Sequence, residues 1–335
     1  MAKKGTSRKS PKPSPRARKP APPRAGKAPK PPAKSALLAE IPGASRVLFT
    51  ANGTGLLVVR DEQKTLTLFD LATGMETPPL KELARVSAVA LSADTRFIAM
   101  GTKSGILAVE SSQAGKAAWK TKATGEVIGE VLFTLDGSLV IAAGAYQEEG
   151  DAWLRVYKTM TGEEEPAFDP VPGARVCHLA LSPDGLFLAH SEVRSNSVLV
   201  WHLPTRQMAS CLRLNNGNGK IVGLKFGHNV RQLYIAQESR VTGWNGENSV
   251  EISNMAVEGV KSLAIIAENN SIITLRVGPA GSALNLWNAE TGRLRKTIPL
   301  PEGNYTSLAA PPGGAYVALA GGKICWVWKS EKLLA

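Results

Sequence analysis

Four histidines, three cysteines and two short carboxylate runs are the side chains of this 335-residue chain with the widest chemical range. A hydrolase nucleophile needs a base beside it, a third group to orient that base, and a turn that exposes the attacking atom. No GxSxG occurs, and His178, His190, His202 and His228 fall at unrelated positions of the chain's internal repeat. Cys177, Cys211 and Cys325 form an odd set, 34 and 114 residues apart, which fits neither a disulfide framework nor a zinc spacing. They read as free thiols in a core. Glu148, Glu149 and Asp151, and Glu163 to Glu165, have the chemistry of a general acid and base, yet both runs lie in segments that read as surface loops. There is no phosphate-cradling GxxxxGK[ST] and no dinucleotide fingerprint leading into a helix. The sequence therefore predicts a chain that is not an enzyme, with no catalytic residue, metal site or cofactor.

Charge is segregated. Of 40 Lys and Arg residues, 12 lie in positions 1 to 35, where no Asp or Glu occurs. Lys3, Lys4, Arg8, Lys9, Lys12, Arg16, Arg18 and Lys19 are the first eight, followed by Arg24, Lys27, Lys30 and Lys34. The remaining 28 basic residues (40 less 12) balance 28 acidic ones, so the whole formal charge of +12 belongs to this segment. It also holds 9 of the 22 prolines and no aromatic residue. Such a composition cannot bury apolar surface, which predicts a disordered basic tail over 1–35. The tail resembles neither a secretory signal nor a transit helix, and no apolar run is long enough to span a bilayer. A soluble intracellular protein is expected, cytoplasmic or carried by its tail to the nucleus or nucleoid.

The elements that would position any site emerge from one segment, Arg175 to Val193, in which an alternating strand, a Pro183-Asp184-Gly185 turn and an apolar strand follow one another. That is a hairpin signature. The position of Gly185 recurs at Gly53, Thr95, Gly137, Val230, Asn269 and Gly314, in steps of 42, 42, 48, 45, 39 and 45. A third strand ends in six repeats with an aromatic and a polar residue: Phe69-Asp70, Tyr157-Lys158, Trp201-His202, Trp244-Asn245, Trp287-Asn288 and Trp328-Lys329. The second repeat has Val109-Glu110 instead. A fourth, more polar strand follows turn signals such as Thr73-Gly74 and Thr291-Gly292. The seventh repeat stops after its third strand, and Ser35 to Gly43 looks like the missing fourth.

This period and strand count resemble the WD-repeat family, whose blades run about 40 to 45 residues with a Trp-Asp pair closing the third strand. Ser182-Pro183-Asp184-Gly185 and the aromatic pairs carry the resemblance, which covers about 300 residues. The family's Gly-His pair is missing from its place, the chain's Gly227-His228 lying instead just before the Val230 anchor, and Phe69-Asp70 comes nearest to Trp-Asp. The resemblance implies an all-β protein over 36–335: a seven-bladed β-propeller of four-stranded antiparallel blades, closed by residues 36–41 pairing in the last blade.

The family also implies a face on which the loop before strand one meets the loop between strands two and three, and where partners dock. By position the first kind of loop ends at Gly43, Arg85, Val127, Arg175, Lys220, Gly259 and Asn304. The second kind is expected to contain Glu148, Glu149 and Asp151 in blade three, Arg194 in blade four and Arg276 in blade six. Trp153 flanks the blade-three loop, as an exposed anchor or an inward-packing ring. These residues are the expected protein-docking face of a monomeric scaffold. The tail is a second expected surface, for nonspecific contact with nucleic acid or another acidic surface through released counterions, or else an aid to solubility or import. Ser10-Pro11-Lys12 and Ser14-Pro15-Arg16 resemble the Ser-Pro-basic units of linker-histone tails. A hydrolase or lactonase of the propeller type is the remaining alternative.

Overall fold

The structure, a computed structural model, describes residues 34–335 except 82–84, 114–116, 124–126, 146–153, 167, 169–175, 193–195, 215, 230, 247, 280 and 322–323. Seven four-stranded antiparallel sheets follow one another along the chain. In blades one to six the strands pair in chain order. In blade four, for example, the inner strand Val176–Leu181 pairs with Phe187–Glu192, then Ser197–His202, then Gln207–Arg213. Blade seven takes Tyr305–Ala309, Tyr316–Gly321 and Ile324–Lys329 from the end of the chain and its outer strand, Leu37–Pro42, from the beginning.

Position in the blade explains the hydrophobic patterning. Second strands are covered on both faces by neighbouring blades, so Gly55–Arg60 is buried throughout and reads as a continuous run. Outer strands reach solvent and alternate, as Ala117–Lys122 does. Adjacent blades share apolar clusters. The largest spans blades six and seven, where Trp326 and Trp328 are fully buried with Leu284, Leu286 and Leu319. Each bulge recurs at an equivalent place. In five blades the register slips at the third-strand aromatic position or its equivalent, at Glu110, Trp201, Trp244, Trp287 and Trp328, which re-aims that side chain.

The residues that follow the seven anchors occupy equivalent places. In each blade an N–H just beyond the third strand donates to the carbonyl of the residue after the anchor: Leu71 to Thr54, Ser112 to Arg96, Thr159 to Ser138, Leu203 to Leu186, Gly246 to Arg231, Ala289 to Asn270 and Ser330 to Ala315, at 2.7 to 3.0 Å. Gly53, Thr95, Gly137, Gly185 and Gly314 have positive φ, as the turn demands. In blade six Asn270, not Asn269, takes that conformation, after a short 3-10 turn over Ala267–Asn269.

Candidate binding faces of the ring

Two kinds of connection divide the ring into two faces. On one face lie the turns joining strands one to two and three to four, and their geometry is locked by a repeated device. In blades one to four a Ser or Thr hydroxyl donates to an Asn or Asp two residues on: Thr50 to Asn52, Ser92 to Asp94, Thr134 to Asp136 and Ser182 to Asp184. The same hydroxyl accepts the N–H of Gly55, Phe97, Leu139 or Phe187. Donation from Ser92 holds the Asp94 carboxyl down at about 2, and that from Thr134 lowers Asp136. The polar partner of the third-strand aromatic caps the next turn: Asp70 Oδ1 accepts from the N–H and hydroxyl of Thr73, and Asn288 Oδ1 does so from Thr291. Asp70 is thereby lowered, chiefly by the Thr73 backbone bond.

On the opposite face the loops before strand one and between strands two and three lie side by side. The Arg85 carbonyl accepts from Lys103 N–H at 2.9 Å, that of Lys220 from Glu238 at 3.1 Å, and that of Gly259 from Val277 at 2.8 Å. Arg85 and Lys220 are exposed, and Arg85 sits at φ 63. The loop carrying Lys220 is pinned from below, because the buried Gln237 donates to the Gly219 carbonyl at 3.0 Å and Ser239 donates to that of Asn218. Arg276 differs from its expected place. It is half-buried within the second strand of blade six, Ser271–Gly278, opposite Ala283, because Gly281 at φ 88 lets the hairpin run on to its tip. Arg175, Arg194, Glu148, Glu149, Asp151 and Trp153 lie outside the described residues, as do Lys3, Lys4, Arg8, Lys9, Lys12, Arg16, Arg18 and Lys19 of the tail.

Beneath this face the inner strands are stitched across blade boundaries, a feature that pattern reading did not reveal. Ser307 exchanges long hydrogen bonds with the Val47 backbone, Arg46 donates to the Ser87 carbonyl, and Ser87 donates to that of Ile128. Glu130 completes the series by taking Leu179 N–H at 2.6 Å and lying 2.9 Å from His178 Nδ1. Blades seven, one, two, three and four are thus joined near the axis by polar contacts as well as by packing.

The central channel is a cavity of about 500 Å³ lined by inner strands of blades one to five. Glu130 and Lys225 are its charged lining residues. Among the described residues no three His, Cys, Asp or Glu side chains converge as a metal site would require. His190 is buried against Trp201, 6.1 Å between ring centroids, and burial pushes its pKa down to about 4. Cys325 is wholly buried, its thiol pushed up to about 12 by desolvation, whereas the free Cys211 is exposed on an outer strand. No helix among the described residues is long and apolar enough to cross a membrane.

No protein-family model matches the sequence, and a search of curated proteins finds no relative. Solved structures do match over nearly the whole ring. The β-propeller domain of Cps50 (Swd1) from Myceliophteria thermophila superposes with a TM-score of 0.73 at 13% identity, covering 87% of this chain and 99% of that one. A chain of the mitotic checkpoint complex gives 0.74 at 14%, with coverage of 91% and 99%. A chain of Kuenenia stuttgartiensis hydrazine synthase gives 0.70 at 14%, with 86% and 96%. One of the three comes from an enzyme, so the likeness speaks to fold and not to chemistry. With seven blades, equivalent turns and these superpositions together, the chain has the fold of a WD-repeat-like β-propeller.

Proposed function

We propose that the ring is a non-enzymatic scaffold that docks protein partners on the face carrying Arg85 and Lys220. The observation that supports this is the contrast between the faces. The turn face repeats one hydrogen-bonded design in blades one to four, whereas the opposite connections differ between blades, from residues 238–239 in blade five to 146–153 in blade three. Variable loops on a rigid frame are where binding specificity resides. From their place in the chain Arg175, Arg194, Glu148, Glu149 and Asp151, which lie outside the described residues, are expected on the same face, and Arg276 borders it. The lack of a converging His, Cys, Asp and Glu set among the described residues favours this reading over a hydrolase or lactonase. The scaffold acts as a single ring in the cytoplasm.

The competing surface is specific. Met75, Leu135, Met160 and Leu186 are large exposed apolar side chains on the turn face, and exposed apolar residues can anchor partners. Tagged wild type, Arg85→Glu/Lys220→Glu and Leu135→Ser/Leu186→Ser proteins would be compared in affinity capture with mass spectrometry, with folding checked by circular dichroism. Partners lost with the charge reversals and kept with the leucine changes are expected. The reverse pattern would move the site to the turn face.

A second reading rests on the segregated charge: all of the net +12 lies in residues 1–35, which makes that segment a nonspecific nucleic-acid tether while the ring holds a protein.

A further inference from the structure

The central channel carries one side chain unlike its counterparts. The register places Lys225, opposite Tyr234, at the inner-strand level that Leu48, Ala90, Leu132, Ala180, Ala264 and Ala309 occupy in the other blades. Six blades are apolar there, and blade five has an ammonium. Lys225 is exposed and lines the cavity of about 500 Å³ together with Leu48 and Leu132. The wall continues in Val89 and, toward the turn face, in Leu91 and Leu181, aliphatic side chains that are only half-buried. Glu130, the other charged lining residue, is already engaged: its Oε1 lies 2.9 Å from His178 Nδ1 and its Oε2 accepts Leu179 N–H at 2.6 Å. Among the described residues Lys225 makes no ion pair, and its ammonium donates no hydrogen bond.

The geometry points to a ligand site: we infer that the channel holds a small organic acid, a carboxylate on an aliphatic body. Its anionic head meets Lys225, and its body lies along Leu48, Leu132, Leu91 and Leu181. A residue that breaks the local pattern without a folding partner is expected at a functional place, and Lys225 stands at a level where folding is served by Ala or Leu in every other blade. Concave sites for small ligands are mostly apolar, hold about 300 to 1,000 Å³ and place a few polar groups to fix orientation. The charges select the head group. Both oxygens of Glu130 are taken by His178 and Leu179, so a ligand ammonium finds no free carboxylate there, whereas the Lys225 ammonium is a mobile point charge open to an anion. The site lies on the axis, apart from the loops of Arg85 and Lys220, so it adds a small ligand to the protein docking proposed above.

Isothermal titration calorimetry of the full chain with octanoate, hexanoate and 1-octanol tests both halves of the site. Octanoate is expected to bind once per chain, and Lys225→Leu, which gives blade five the residue of blades one and three, should weaken it by about ten- to a hundredfold, the range for a charge-assisted hydrogen bond. Lys225→Arg should retain most of the affinity, and 1-octanol, which has no charge, should bind Lys225→Leu at least as well as wild type. Hexanoate should bind more weakly than octanoate by about fourfold for each methylene removed. Leu135→Ser/Leu186→Ser alters exposed apolar side chains of the turn face and should leave octanoate binding unchanged. No binding of octanoate to the wild type, or equal binding to wild type and Lys225→Leu, would overturn the inference. Equal affinities for octanoate and hexanoate would overturn the aliphatic half of the site, and loss of binding in Leu135→Ser/Leu186→Ser would move it out of the channel.

Discussion

Arg60 holds the end of the closing strand: its Nε donates to the Pro42 carbonyl at 3.2 Å while its Nη2 pairs with Glu76 at 2.7 Å. Nη1 adds a bond to Thr67 Oγ1 at 2.8 Å, and the side chain is almost wholly buried. The residue that ends blade seven's outer strand is therefore fastened to blade one. Arg60→Met keeps an unbranched apolar stem and removes the guanidinium donors, leaving Glu76 and the Pro42 carbonyl without them. A loss of about 2 kcal/mol is expected for these charge-assisted bonds, read as a drop in Tm of about 4 to 8 °C. Glu76→Gln, which can still accept from Arg60, should cost less. An Arg60→Met protein as stable as wild type would show that the contact does not contribute.

Two glycines with the same backbone test the repeated turn. Gly137 and Gly185 have φ of 70 and 74, but a Cβ at Gly137 would meet nothing within 4 Å, whereas one at Gly185 would lie 3.1 Å from Leu135 Cβ. Gly137→Ala should cost about 1 to 2 kcal/mol, the left-handed penalty alone. Gly185→Ala should cost more, and adding Leu135→Gly, which removes the Cβ it would meet, should relieve the excess but not the common part. Urea unfolding of the four variants measures this, and equal costs with no relief would contradict the packing of the two turns.

His190 makes stability depend on pH. Its pKa falls from 6.5 to about 4 through burial, so below pH 6.5 the unfolded chain takes up a proton that the folded ring refuses. The stabilising contribution is complete above about pH 6.5 and is lost as pH falls toward 4. Between pH 7.5 and 5 the loss is about 2 kcal/mol, at 1.36 kcal/mol per pKa unit. His190→Phe should flatten the difference between urea unfolding at those two pH values. An unchanged pH dependence in His190→Phe would assign it to other groups.

The turn anchors are legible in the sequence because a positive φ restricts which residues can occupy them, and Gly53, Gly137, Gly185 and Gly314 stand out on that ground. Blade six marks the limit, since Asn269 and Asn270 are indistinguishable until the 3-10 turn selects the second. Outer strands are harder to read. Leu80–Lys81 and Glu164–Glu165 are two residues long and leave no alternation to find. Arg276 lies in a strand and not in the expected loop, because loop length in a hairpin depends on the tip, here Gly281. The stitching of inner strands by Ser87, Glu130 and Ser307, and the hold of Arg60 on Pro42, join residues 18 to 260 apart in the chain. No local pattern records such contacts.

The account depends on a ring closed by Leu37–Pro42 against Ile324–Lys329, because an open ring would not hold its loops in one rigid face. Chains beginning at residue 35 and at residue 43 test this most directly when their thermal unfolding is compared by circular dichroism. Removing 1–34 should leave Tm within about 2 °C of the full chain. Removing 1–42 deletes the strand, uncovers the core around the fully buried Cys325 and Val327 and leaves an open edge, so Tm should fall by about 10 °C or more. Equal melting of the two shortened chains would contradict closure by this strand.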